Sequence, residues 1–193
     1  AVLHVTPYYN KPTQAGLIAH FEAISDASSL PILIYNIPGR SIVDMTPETM
    51  AVLAARDNII GVKDATADLS RVEQQAAACG ADFIQLSGED ATAVDFNRRG
   101  GVGCISVAAN IAPALCAQMQ NATAAGDYDT ASALKEKLMP LFDALFCETS
   151  PSPVKYAAAK MRLCDQEIRL PLLPASPAAR QKVDAALSGL GLI

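Results

Sequence analysis

Short apolar runs alternate with longer stretches of mixed polarity along the first half of the chain. Residues 3–5, 32–35, 59–63, 83–87 and 104–107 are continuous apolar or β-branched runs rather than alternating ones. Such runs predict parallel strands covered on both faces. The intervening stretches predict helices. Thr46, Pro47 and Glu48 supply an N-cap, a proline at the first helical position and an early acid ahead of an apolar run at 50–53. Residues 68–79 are rich in Ala and Gln and stop at Gly80, a suitable C-cap. Residues 13–25 and 89–99 also have helical composition. The strands recur at the spacing of one β-loop-α-loop unit, which predicts a βαβα parallel architecture. Beyond Pro113 the strands stop, and 114–125, 128–146, 154–162 and 178–187 read as helices. Pro140 is expected to kink or interrupt the second of these. Periodicity alone does not separate an open sheet from a barrel.

Composition narrows the class. Of the 193 residues, 51% are apolar and 18% charged, enough for a packed core and too few charges for a long disordered tract. A net charge of -5, with no basic stripe, argues against nucleic acid. Five cysteines, none in a C-x-x-C pair, fit reduced thiols in a cytoplasm better than a disulfide framework. Residues 100–126 carry no charge, but Asn110, Pro113, Gln118, Gln120 and Asn121 favour a strand, a turn and a helix over a membrane span. His4 and His20 lack ligand spacing, so no metal site is suggested; no cofactor is expected either.

Lys63 is the most informative candidate. It ends an apolar run, and the C-terminal end of a buried parallel strand is where α/β folds carry their sites. Desolvation there favours the free amine, which attacks carbonyls to form a Schiff base. A lysine that snorkels to the rim or pairs with Asp64 or Asp68 is the alternative. Tyr35 ends the preceding run and can share the same mouth, where a phenol relays protons; a core tyrosine is the plainer reading. Arg40, in the tight loop 36–40, has the fork geometry for a carboxylate, or is a surface arginine. Tyr8 and Tyr9 follow the first strand, so one can reach the site and the other a partner subunit. Gly88 can bring backbone close to a ligand, and the acids Glu89 and Asp90 suit the start of the next helix. The glycines at 100, 101 and 103 precede a strand instead of following one and read as turn residues, not a phosphate loop.

Taken in order, the segments form a recognisable set: Thr-Pro-Tyr-Tyr-Asn-Lys-Pro at 6–12, Tyr-Asn-Ile-Pro-Gly-Arg-Ser at 35–41 and Gly-Val-Lys-Asp-Ala-Thr at 61–66, continued by Leu-Ser-Gly-Glu-Asp at 86–90, Gly-Gly-Val-Gly-Cys-Ile-Ser-Val at 100–107 and Pro-Val-Lys at 153–155. The sequence resembles the dihydrodipicolinate synthase family from end to end. The resemblance implies a (β/α)8 TIM barrel followed by a helical C-terminal domain. It also implies a lyase that condenses pyruvate with L-aspartate-4-semialdehyde in lysine biosynthesis. On this reading Lys63 forms the pyruvate Schiff base, Tyr35 relays protons, and Arg40 holds the carboxylate of the aldehyde. Tyr9 matches a tyrosine lent across a dimer interface. Gly88 and Ile105 match positions that line the pyruvate pocket.

Family members are longer, and the first strand here resembles the fourth of the barrel, so about three βα units have no counterpart. The expected fold is therefore α/β: a partial TIM barrel, strands 4–8, over 1–126, with a helical domain over 127–193. Five parallel strands do not close an eight-strand barrel, so the chain is expected either to be a fragment of a longer gene product or to complete itself by association; folded as given, its uncovered edges favour a homo-oligomer. Two further functions stay open. One is a sister 2-keto-acid aldolase, against which Arg40 argues; the other is a non-catalytic remnant that serves as an interaction module.

Overall fold

The computed structural model describes residues 1–193. The chain divides into two compact units, 1–105 and 106–193.

The first unit is a five-stranded sheet: β1 (Val2–Val5), β2 (Ile32–Asn36), β3 (Ile59–Asp64), β4 (Ile84–Ser87) and β5 (Gly103–Cys104). Every pairing is parallel and the spatial order is β1-β2-β3-β4-β5. Parallel neighbours need crossover connections, and helices supply them: α1 (Gln14–Ala27), α2 (Pro38–Ser41), α3 (Pro47–Ala54), α4 (Ser70–Cys79) and α5 (Ala93–Arg98). Thr13 caps α1 by accepting from the Gly16 N–H, and Thr46 caps α3 by accepting from the Thr49 N–H. Gly80 ends α4 at a φ of 94°.

The strands are mainly apolar, and their two faces differ. Ile32 and Ile34 of β2 and Val62 of β3 are fully buried, packed with Leu17 and Phe21 of α1 and Met50 and Leu53 of α3. Each such side chain contributes roughly 1.5–3 kcal/mol by leaving water. The opposite face is only partly covered; Leu3 and Val5 are each 43% exposed. The expectation of strands covered on both faces thus holds for one face alone. Between β3 and β4 the backbones approach so closely that a Cβ on Gly61 would lie 2.2 Å from the Ile84 carbonyl oxygen. Only glycine fits there.

The predicted strand at 104–107 shrinks to Gly103–Cys104. The chain turns at Ser106, whose hydroxyl accepts from the Ala109 N–H at 2.8 Å, and a turn stabilised this way competes with extension of the strand. The stretch 89–99 is a 3₁₀ turn at Asp90–Thr92 followed by α5, rather than one helix.

The second unit contains helices and no strand: α6 (Pro113–Ala124), α7 (Tyr128–Leu145), α8 (Ser152–Lys160) and α9 (Pro177–Gly189). Met119, Leu138, Leu141, Leu145, Val183 and Leu187 fill its core. The boundary between the units falls at 105/106, earlier than the 126/127 expected from the sequence, because α6 packs along α7. Pro140 lies inside α7 without interrupting it. The burial of Leu138, Leu141 and Phe142 around it outweighs the roughly 3 kcal/mol a mid-helix proline costs. No helix is long and apolar enough to cross a membrane.

Candidate active site

The site lies on the C-terminal rim of the sheet, within the first unit. Backbone hydrogen bonds carry the ladder past the strand ends: the Thr6 N–H donates to Tyr35 O (3.1 Å), Ala65 to Asn36 O (2.9 Å), Gly88 to Asp64 O (2.7 Å) and Ile105 to Ser87 O (2.9 Å). Val5, Tyr35, Lys63 and Leu86 are register partners on successive strands. In-register residues of parallel strands share a face, so Tyr35 and Lys63 stand side by side on the less covered one. The Lys63 Nζ lies 4.0 Å from the centroid of the Tyr35 ring.

Burial pushes the Lys63 amine below the ordinary lysine range; Cys104, Glu89 and Asp90 oppose that shift and Arg40 adds to it. A partly desolvated ammonium against a ring face is held by the ring quadrupole, while the depressed pKa enlarges the fraction of nucleophilic free amine. Burial raises the Tyr35 phenol, with Arg40 opposing and Glu89 adding, so the phenol keeps its proton at neutral pH. Asp64, the next residue after Lys63, is buried and accepts from the Thr66 N–H (2.9 Å), the Thr66 hydroxyl (2.7 Å) and Gln75 Nε2 (2.9 Å). The strand end that bears Lys63 is therefore pinned from its far side.

Gly88 closes over the lysine. A Cβ there would sit 2.7 Å from the Ala65 Cβ and 3.2 Å from the Lys63 Cε, so the glycine leaves the space that the lysine chain occupies. Arg40 stands in the last turn of α2, exposed and without an ion-pair partner, and its charge is felt by Tyr35, Lys63 and Glu89. Ile105 continues the rim beyond β5. Tyr9 is not gathered into this cluster; it is 89% exposed in the loop after β1.

Sequence reasoning missed Glu89 as a site group. It is half-buried, and burial and Asp90 raise its carboxyl while Lys63 and Arg40 pull it down. Its backbone is fixed by the Ser87 hydroxyl, which accepts from the Glu89 N–H (3.1 Å) and donates to the Glu89 carbonyl (3.0 Å). An acid directly after a strand-end Ser-Gly was the available signal, but it reads equally well as the start of a helix.

A primary amine of lowered pKa, a protonated phenol and an unpaired guanidinium on one rim suit carbonyl chemistry on an acid. Residues 1–190 match the dihydrodipicolinate synthetase family. The chain belongs to that family. It is 60% identical over its whole length to the 4-hydroxy-tetrahydrodipicolinate synthase of Cereibacter sphaeroides, of which it covers 67%. It is 61% identical to that of Roseobacter denitrificans, of which it covers 66%. Among solved structures, dihydrodipicolinate synthase from Aquifex aeolicus superposes with a TM-score of 0.96 at 38% identity, over 98% of this chain and 65% of that one. The chloride-inhibited dihydrodipicolinate synthase from Acinetobacter baumannii, solved with pyruvate, superposes at 0.95 and 43% identity, over 99% and 66%. The chain thus spans about two thirds of the length of these relatives, and over that span the parallel sheet and its helices are those of the family.

Proposed function

We propose that this chain carries the Schiff-base machinery of a 4-hydroxy-tetrahydrodipicolinate synthase, condensing pyruvate with L-aspartate-4-semialdehyde. The register pair Tyr35–Lys63, with its desolvated amine, carries this reading. The free Lys63 amine adds to the keto carbon of pyruvate to give a carbinolamine. Loss of water, with a proton supplied by the Tyr35 phenol, gives the imine. Removal of a methyl proton gives the enamine, whose carbon attacks the aldehyde while the aldehyde oxygen takes up a proton. Hydrolysis or cyclisation with the substrate's own amine then frees Lys63. Arg40 receives the carboxylate of the aldehyde substrate through its planar fork. Gly88 and Ile105 border the keto acid.

The sheet is read as strands 4–8 of a (β/α)8 barrel followed by a helical domain, as the family likeness supports. Tyr9, with Tyr8 exposed beside it, is read as presented to a second copy of the chain, whose proton relay it completes. A homo-oligomer is the expected state, checked by light scattering. The five free cysteines support a reducing, cytoplasmic setting.

Incubation with pyruvate, reduction with borohydride and peptide mapping test the reading. The expected result is one pyruvate adduct, on Lys63, absent in Lys63→Ala. A folded chain that acquires no adduct would refute it.

A further inference from the structure

The loop that carries Arg40 is tied down by polar groups remote from the reacting atoms. Asn36 follows Tyr35 in β2, is fully buried, and donates from Nδ2 to Asp44 Oδ1 at 2.8 Å. Its Oδ1 accepts from the Met45 N–H at 3.1 Å. Arg71, on the helix after the Lys63 strand, forms an ion pair with Asp44 Oδ2 and donates to the Met45 carbonyl at 3.0 Å. Gln14 of α1 closes the far side, donating to the Asp44 carbonyl at 2.8 Å and accepting from the Thr46 N–H. Three elements therefore converge on the C-terminal root of one short loop.

The same loop contains Ile42 in the left-handed region, at a φ of 62°. A β-branched residue there is strained, and such a conformation persists only where its surroundings over-determine it. Ile42 is 70% exposed, so its own packing does not hold it. The restraint comes from its neighbours: the Ser41 hydroxyl, which lies 2.9 Å from both the Ile37 and Val43 carbonyl oxygens and donates its single proton to one or the other, and the Asp44 cluster. Arg71 is the better buried member of the ion pair, with its side chain 12% exposed against 40% for Asp44, so water screens the pair only in part.

We infer that Asn36, Asp44 and Arg71 form a positioning clamp that holds the strained Arg40 loop in its carboxylate-binding geometry. The clamp sets affinity for the second substrate independently of Schiff-base formation at Lys63. This inference rests on the proposed role of Arg40. The strain at Ile42 gives the loop a reason to relax once the clamp is cut, whereas Lys63 and Tyr35 are held by the strand ladder and do not depend on it.

The test compares the parent chain with Asp44→Asn, Arg71→Lys, Arg40→Ala and the Asp44→Asn/Arg40→Ala double variant. Three quantities are measured: backbone amide exchange, the borohydride-trapped pyruvate adduct, and KM for the semialdehyde. In Asp44→Asn and Arg71→Lys, exchange over 37–45 should accelerate about tenfold or more, as for the loss of one charge-assisted bond. Exchange in β2 and β3 should stay at parent values, and the rate of the pyruvate adduct should change far less than the semialdehyde KM, since Arg40 is only the smallest contributor to the Lys63 shift. The semialdehyde KM should rise about tenfold, and Asp44→Asn should add nothing once Arg40 is removed. Parent-like exchange over 37–45 would overturn the clamp. So would an equal loss of adduct formation, or a full additional KM effect in the double variant. A parent chain that forms no adduct counts against the Schiff-base reading instead, and the exchange data still decide the clamp.

Discussion

Lys63 and Tyr35 are direct register partners on adjacent parallel strands, with the lysine Nζ 4.0 Å from the tyrosine ring centroid. The ring face holds the ammonium, and on the proposed function its hydroxyl would separately exchange protons with an adduct.

Tyr35→Phe keeps the face and removes the hydroxyl. Formation of the pyruvate adduct should slow by about 10²-fold or more, the scale of a lost general acid, with thermal stability near that of the parent. Stopped-flow mixing and borohydride quench would measure the rate. A parent-like rate would remove Tyr35 from the proton relay.

The lowered pKa of Lys63 makes two pH predictions. Adduct formation should rise with pH and level off below the ordinary lysine value, because the free amine is the reactive form. For stability, the unfolded chain binds this proton more tightly than the folded one. Stability should therefore rise with pH between the folded and unfolded lysine pKa values, and Lys63→Met should remove that slope. Adduct kinetics across pH read the first sign, and chemical denaturation across alkaline pH reads the second.

Glu89 opposes the depression of Lys63. Glu89→Gln removes its negative charge, so the pH profile of adduct formation should move to lower pH while the fold stays intact. A shift to higher pH would show that the carboxylate acts on Lys63 by another route.

Gly88→Ala tests the space beside the lysine. The new Cβ would have to displace the Ala65 Cβ and crowd the Lys63 Cε, against distances of 2.7 and 3.2 Å. A stability loss of about 1–3 kcal/mol is expected from overpacking, along with at least tenfold slower trapping of pyruvate. Urea titration and adduct kinetics measure the two effects separately.

In the helical unit, Pro140→Ala restores the N–H that α7 lacks. Because position 140 is exposed, nothing there has to repack. The unit should gain about 1–3 kcal/mol, somewhat less than the full mid-helix penalty because proline also restricts the unfolded chain. A lower melting temperature would show that α7 needs the proline.

The strands that carry Tyr35 and Lys63 were legible because a buried parallel strand needs an unbroken apolar run, and β2 and β3 have one. The caps at Thr46 and Gly80 were legible for the same local reason. Pro140 pointed to a kink or a break, and the break is absent because a helix packed on its neighbours tolerates a defect that an isolated one would not. The Asp44–Arg71 pair had no local signature. Its partners stand 27 positions apart, and only the crossover of α4 brings them together. Glu89 was visible as a residue but not as a site group, because its half-burial is a property of the folded rim.

The bonds from Thr6, Ala65, Gly88 and Ile105 to the ends of neighbouring strands mean that four connecting segments leave the sheet only after one further anchor. Insertions or exchanges beyond those anchors can alter what the rim admits without displacing the lysine and the phenol. A chain built this way separates the evolution of its appetite from the evolution of its chemistry.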